Sequence, residues 1–466
     1  MNECPNCKRL QKELDAVKKE LADLKLEIAR HLKNSSTSSK PPSSDIVKPK
    51  KEKDAKPGRR KKRNKGGQKG HPKHERPAFE DHEIDETRAY HLVSCPSCDG
   101  KDLEIIHKKP RVIQQVELVS KPVIVTEHRA YKVWCRTCQT FHLTPLPPEI
   151  VKAGLCGPHL TALVAFMKGC CHASYSTIRK FLRDVMKITI SRSQLTRLVY
   201  KVSGSLKDPY QQLLDLLESE KHLNVDETGH KNNGKRMYTW CFRAALYTLF
   251  KIDKHRSSDV LIEVLGKEFN GILGCDYFSA YRKYMGDFDI LVQFCLAHLI
   301  RDVKYLTTLP CKVTQNYGHR VLEKLKALFK VIHRQDSYSS EKYFQRALER
   351  AKDNLIKKAL QGPPGTTAQN IVKRFKDHGD AYFTFITTPG IDPTNNIAEQ
   401  AIRFVVIDRT VTQGTRSIKG QEWSERIWTV MATTAQQGRS AFNFLVQAVQ
   451  AWMSGTPPPS LIPNST

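Results

Sequence analysis

The chain has 466 residues, 39% of them hydrophobic, and 76 Lys and Arg against 48 Asp and Glu, a net charge of +28. At roughly 100–200 residues per domain this length fits about three domains. No apolar run approaches the roughly 18 residues of a membrane span, and MNECPNCKRL lacks the apolar centre of a signal peptide. A cytoplasmic chain with a polyanionic partner, nucleic acid before lipid, is therefore expected. The thirteen cysteines read as metal ligands and core thiols, not disulfides.

Leu10, Leu14, Val17, Leu21, Leu24 and Ile28 recur at alternating spacings of four and three, a heptad seam. Residues 1–33 are read as a self-associating coiled coil, against a single amphipathic helix packed on its own chain. Cys4 and Cys7 precede the seam; two thiols cannot close a tetrahedral site alone. Residues 34–80 are a disordered basic linker. NSSTSSKPPSSD lacks core-forming residues, and residues 48–76 carry 14 Lys or Arg against 3 acids. Arg59, Arg60, Lys61, Lys62, Arg63, Lys65 and Lys69, interleaved with glycine, suit an extended chain lying along a DNA backbone.

Residues 81–150 hold CPSC and CRTC around two β-rich stretches, RVIQQVELV and VIVTEHRAYKVW. Paired Cys-x-x-Cys knuckles on hairpins make a zinc ribbon, with Cys95, Cys98, Cys135 and Cys138 on a structural Zn²⁺. Residues 151–215 read as helices with helix-turn-helix rhythm, the last capped by Ser191 or Ser193. Arg192, Gln194 and Arg197 on that helix are candidates to reach base edges; a plain helical connector is the alternative.

LNVDET (223–228) puts Asp226 and Glu227 at the end of an apolar strand, and two further β-rich runs follow it. GILGCDYFSAY repeats the pattern and puts Asp276 at a second strand end. In DPTNNIAEQAIRF, Asp392 and Pro393 read as N-cap and first helical residue, and Asn396, Glu399 and Arg403 share a face. Three acids gathered on one sheet edge repel one another and resist burial. Two Mg²⁺ or Mn²⁺ ions make the cluster tolerable and suit phosphodiester chemistry. Alternation alone does not choose between Asp226 and Glu227.

The order NSSTSSKPPSSD, GGQKGHPKH, CPSC and CRTC, VDET, GCDYFSAY, CLAH, NNIAEQAIR resembles transposases of the insertion-sequence-66 group. That resemblance implies a multidomain α/β chain whose RNase-H-like mixed-sheet core carries an Asp, Asp, Glu triad for cutting and joining transposon ends. It maps the triad onto Asp226, Asp276 and Glu399, with Asn395 and Asn396 as supporting groups and Arg403 beside them. Cys295 and His298 match a CxxH of the family and are read as packing or active-site support. The core is expected at 216–298 and 391–455. The 123 positions from Asp276 to Glu399 require an all-helical insertion at 299–390, and 456–466 is a disordered tail. The partners expected are transposon-end and target DNA and further copies of the chain, with no membrane. A nuclease or junction resolvase of the same fold and a non-catalytic DNA-binding regulator are the rival readings.

Overall fold

The computed structural model describes residues 5–31, 37, 78–94, 96–103, 112–119 and 122–462. Cys4, Cys95, the Cys7 side chain and the basic residues Arg59 to Lys69 lie outside the described residues. The chain forms two compact units, Lys51–Glu127, and Met1–Lys50 with His128–Thr466.

In Lys51–Glu127, the regular structure among the described residues is one 3-10 turn, Asp81–Glu83, closed by reciprocal bonds between Glu80 and Glu83. Gln114 brackets Phe79, accepting from its amide at 2.6 Å and donating to its carbonyl at 2.9 Å. The strands expected in RVIQQVELV and in most of VIVTEHRAYKVW do not form among the described residues. Val112, Ile113, Val116, Ile124 and Val125 are exposed. A β-run without a neighbour leaves half its backbone groups to water and gains no packing.

In the larger unit, α1 (Pro5–His31) carries the heptad seam, whose six apolar residues are 47–60% exposed. β1 (Lys132–Cys135) and β2 (Thr140–Leu143) pair antiparallel as a hairpin, Trp134 against Phe141. Five helices follow: α2 (Pro148–Ala153), α3 (Pro158–Gly169), α4 (Tyr175–Asp184), α5 (Arg192–Ser205) and α6 (Lys207–Leu216). The stretch Pro148–Gly169 is long and apolar enough to cross a membrane by composition, with mean hydropathy 1.5. Gly154, at φ 64°, breaks it into α2 and α3, and α3 buries Ala162, Val164 and Ala165 in the core. Ser174 caps α4, and Ser191, not Ser193, caps α5 by accepting from the Gln194 amide. Leu195, Leu198, Val199 and Val202 of α5 are buried.

The central sheet comprises β3 (His222–Asn232), β4 (Lys235–Arg243), β5 (Thr248–Asp253), β6 (Ile272–Cys275) and β7 (Leu291–Phe294). Its order is β5-β4-β3-β6-β7. β3 is antiparallel to β4 and parallel to β6; β4–β5 is antiparallel and β6–β7 parallel. α7 (Ser258–Leu265) crosses from β5 to β6, and α8 (Ser279–Phe288) from β6 to β7. From β7 to residue 387 the chain is helical: α9 (Leu296–Leu306), α10 (Lys312–Ile332), α11 (Glu341–Ala359), α12 (Gln369–His378) and α13 (Thr384–Thr387), with short 3-10 turns between. α14 (Asn396–Thr412), α15 (Ile418–Gln436) and α16 (Ala441–Ser454) complete the unit.

α15 closes the open edge of the sheet. Glu425, Thr429 and Thr433, four apart and so on one helix face, accept from the Ile252, Phe250 and Thr248 amides at 2.6, 3.0 and 3.1 Å. Asp408 of α14 accepts from Trp428 of α15 at 3.1 Å and pairs with His172 at 2.9 Å, joining α14 to α15 and to the turn before α4.

Candidate active site

Register decides which acids meet. Asn224 of β3 pairs with Gly274 of the parallel neighbour β6. Two residues on, on the same face, stand Asp226 and Asp276. Adjacent parallel strands lie about 4.8 Å apart, so continuing the ladder puts the two acids side by side, Asp276 just past the end of β6 and Asp226 in the middle of β3, which does not end at the acids as the sequence suggests but runs on to Asn232 against β4. Gly274 is needed there, because a Cβ would meet the Asn224 amide nitrogen at 2.4 Å.

Asn224 also shows which helix covers this face. It donates to the side-chain oxygen of Asn395 at 2.9 Å, and Asn395 donates to the Val225 carbonyl at 2.8 Å. Asn395 is the N-cap of α14, so β3 holds the first turn of the helix that carries Glu399. With its side chain used on β3, Asn395 makes no cap bond of its own. The helix therefore starts at Asn396 and not at Pro393. Asp392 instead closes a turn on the amide and hydroxyl of Thr394, at 2.6 and 2.7 Å.

Asp226 shares the face of Asn224, toward α14, and Glu227 takes the opposite face. Glu227 is buried, accepts from Arg256 at 2.9 and 2.5 Å, and accepts from the Tyr281 hydroxyl of α8. It is paired inside the protein, while Asp226 accepts from the amide of Glu227, at 2.9 Å. Burial, then the neighbouring Glu227, Asp276 and Glu399, pushes the Asp226 carboxyl well above the usual range. Burial and then Glu227 raise Asp276 to about 7, against the opposing pull of the Phe278 amide and Arg256.

Glu399 takes a cation from the start of the helical insertion. Arg301 of α9 donates to its Oε2 at 3.0 Å. His298 Nδ1 lies 3.5 Å from Oε1, and neither of those atoms has a hydrogen-bond partner. Cys295, His298 and Glu399 bring one ligand atom each within 4.8 Å of one another. Arg301 also approaches His298 Nε2 at 3.3 Å, so this corner already holds a fixed positive charge. Burial lowers the His298 pKa and raises the Cys295 thiol to about 11. The Cys295 sulfur accepts from the Asn395 amide at 3.1 Å, another tie to the first turn of α14.

The structure thus brings together Asp226, Asp276, Glu399, Asn395, Cys295 and His298. Asn396 and Arg403 are exposed, and Glu399 pairs with Arg301 in place of Arg403. Arg192 is exposed and bonds Ser176 of α4, Gln194 is half-buried, and Arg197 is exposed. Cys98 is exposed. Cys135 and Cys138 flank the turn of the β1–β2 hairpin, where bonds from the Cys138 backbone and side chain lower the Cys135 thiol pKa. Arg256, Tyr281 and Arg301 were missed by sequence reasoning. Arg301 had a local signal, three residues after His298 and so on its helix face; Arg256 and Tyr281 meet Glu227 only through the fold.

No curated protein matches the chain. Residues 5–77 match a family of unknown function (DUF6444). Residues 153–422, which contain the whole acidic cluster and more than half of the sequence, match the Transposase IS66 family, and the chain belongs to that family.

Proposed function

We propose that this transposase cuts transposon ends and joins them to target DNA at a cluster of Asp226, Asp276 and Glu399 that holds two Mg²⁺ or Mn²⁺ ions. The observation that carries it is the register that sets Asp226 beside Asp276 under the helix bearing Glu399. The sheet order, with β4 alone antiparallel to the other four strands, supports an RNase-H-like core.

The donor set fits hard divalent cations. Two carboxyl groups are desolvated, neighbouring acids oppose the ionisation of each, and a buried Glu399 oxygen has no partner. All are oxygen ligands of the kind these metals take. When bound, such ions activate an attacking oxygen and stabilise the leaving one in phosphodiester chemistry. The chain's residues do the positioning. Asn395 fixes the first turn of α14 to β3, Arg301 orients Glu399 through one oxygen, and Arg256 with Tyr281 keeps Glu227 out of competition.

On the sequence spacing of the two Cys-x-x-Cys pairs alone, we further propose that the chain takes a structural Zn²⁺. The exposed seam of α1 supports pairing with a second copy. DNA contact is assigned to the basic linker and to the outer face of α5.

The test is cleavage of transposon-end DNA with Mg²⁺ or Mn²⁺, wild type against Asp226→Ala. Cleavage is expected to vanish in the variant while DNA binding persists. Pre-cleaved ends should yield joined products; hydrolysis alone would make the chain a nuclease, and an unimpaired Asp226→Ala would sink the reading.

A further inference from the structure

Between residues 312 and 360 there are 12 Lys and Arg against 5 acids. This excess is not spread evenly over the helices. α11 buries Phe344, Leu348, Leu355 and Ala359 on one face. At about 100° per residue, Lys342, Arg346, Arg350 and Lys357 fall within about 80° of arc on the opposite face. All four are exposed, with Tyr343 beside them. The ion pairs made nearby, Lys324–Glu323, Lys352–Glu349 and Arg374–Asp302, leave these four out. Asp353 is the acid inside the arc. From Lys342 to Lys357 the ridge runs about 22 Å at 1.5 Å per residue.

A line of four cations this long, facing water with one acid, Asp353, among them, keeps a net positive charge, repels itself and is complementary to a polyanion of extended, regular charge. We propose that the outward face of α11 is a duplex-DNA site that takes phosphates on Lys342, Arg346, Arg350 and Lys357. α11 packs on α10, which packs on α9, the helix holding His298 and Arg301. The ridge is thus built onto the packed helices that begin beside Glu399. The inference rests on DNA being the partner, which the family gives, and is independent of the chemistry at Asp226.

The experiment measures binding of the full chain to random-sequence duplex, without divalent metal, at stepped salt concentrations. Wild type is compared with the combined Lys342→Gln, Arg346→Gln, Arg350→Gln and Lys357→Gln variant. Each lost phosphate contact lowers the slope of log affinity against log salt by about 0.9, so a drop of about 3 to 4 is expected. The charge-conserving swap, Lys to Arg and Arg to Lys at the same positions, should keep the wild-type slope. An unchanged slope in the glutamine variant with helicity intact overturns the proposal. So does an unchanged slope with a smaller sedimenting species, which would make the face a contact between copies. Because cleavage is not read, neither outcome bears on the catalytic assignment.

Discussion

Asp276 sits near 7 because it is buried among acids. An acid whose folded pKa is raised stabilises the fold while protonated, and that contribution is lost as pH rises through the folded value. In metal-free protein, stability is therefore expected to fall between about pH 4 and about pH 7, by on the order of a few kcal/mol. Urea unfolding in chelator at stepped pH checks this; Asp276→Asn should flatten the curve, and an equally steep curve in the variant would refute the assignment. Arg301 gives a second test. Arg301→Gln removes the cation from a Glu399 side chain that is 19% exposed, with an expected loss of about 1–3 kcal/mol in metal-free protein. Saturating Mg²⁺ should shrink that loss, read as a smaller gap in melting temperature. An equal gap with and without Mg²⁺ would mean that Arg301 serves packing alone.

At the scale of elements, Asp276 is legible as a strand-end acid because an apolar run ending in a carboxylate is a local pattern, whereas Asp226, which closes a similar run, lies inside β3 because pairing with β4 carries that strand on to Asn232. Which of Asp226 and Glu227 faces Glu399 was not legible, because alternation fixes that they differ and not which face α14 covers. Only the Asn224–Asn395 bond, across 171 positions, decides it. The start of α14 was misread for a related reason: Asp392-Pro393 has good capping chemistry, but the distant strand claims Asn395. The zinc-ribbon strands were read from β-propensity, which expresses packing against a neighbour more than a backbone preference. α15 as an edge cover was not foreseen, since threonines at four-residue spacing on a helix resemble ordinary polar positions. Thr433→Val keeps the shape and removes an acceptor from the buried Thr248 amide. A cost of about 1–3 kcal/mol is expected in chemical denaturation, whereas Thr→Val at exposed Thr410 should cost far less.

On the scale of the whole molecule, the proposed function gives the charged segments, the apolar seam of α1 and the acidic cluster separate tasks: gripping DNA, pairing copies and cutting. If α1 pairs copies, Leu14→Asp with Leu21→Asp should lower the sedimenting mass and leave duplex binding per chain nearly unchanged. Mass unchanged would assign the seam to packing within one chain. The first turn of α14 reaches the strands through Asn395. An Asn395→Ala chain is then expected to grip transposon ends yet leave them uncut. Added to wild type, it should act as a poison subunit, so that activity falls faster than its share of the mixture; one side chain's anchorage to a strand would then decide whether an entire assembly on DNA is live or inert.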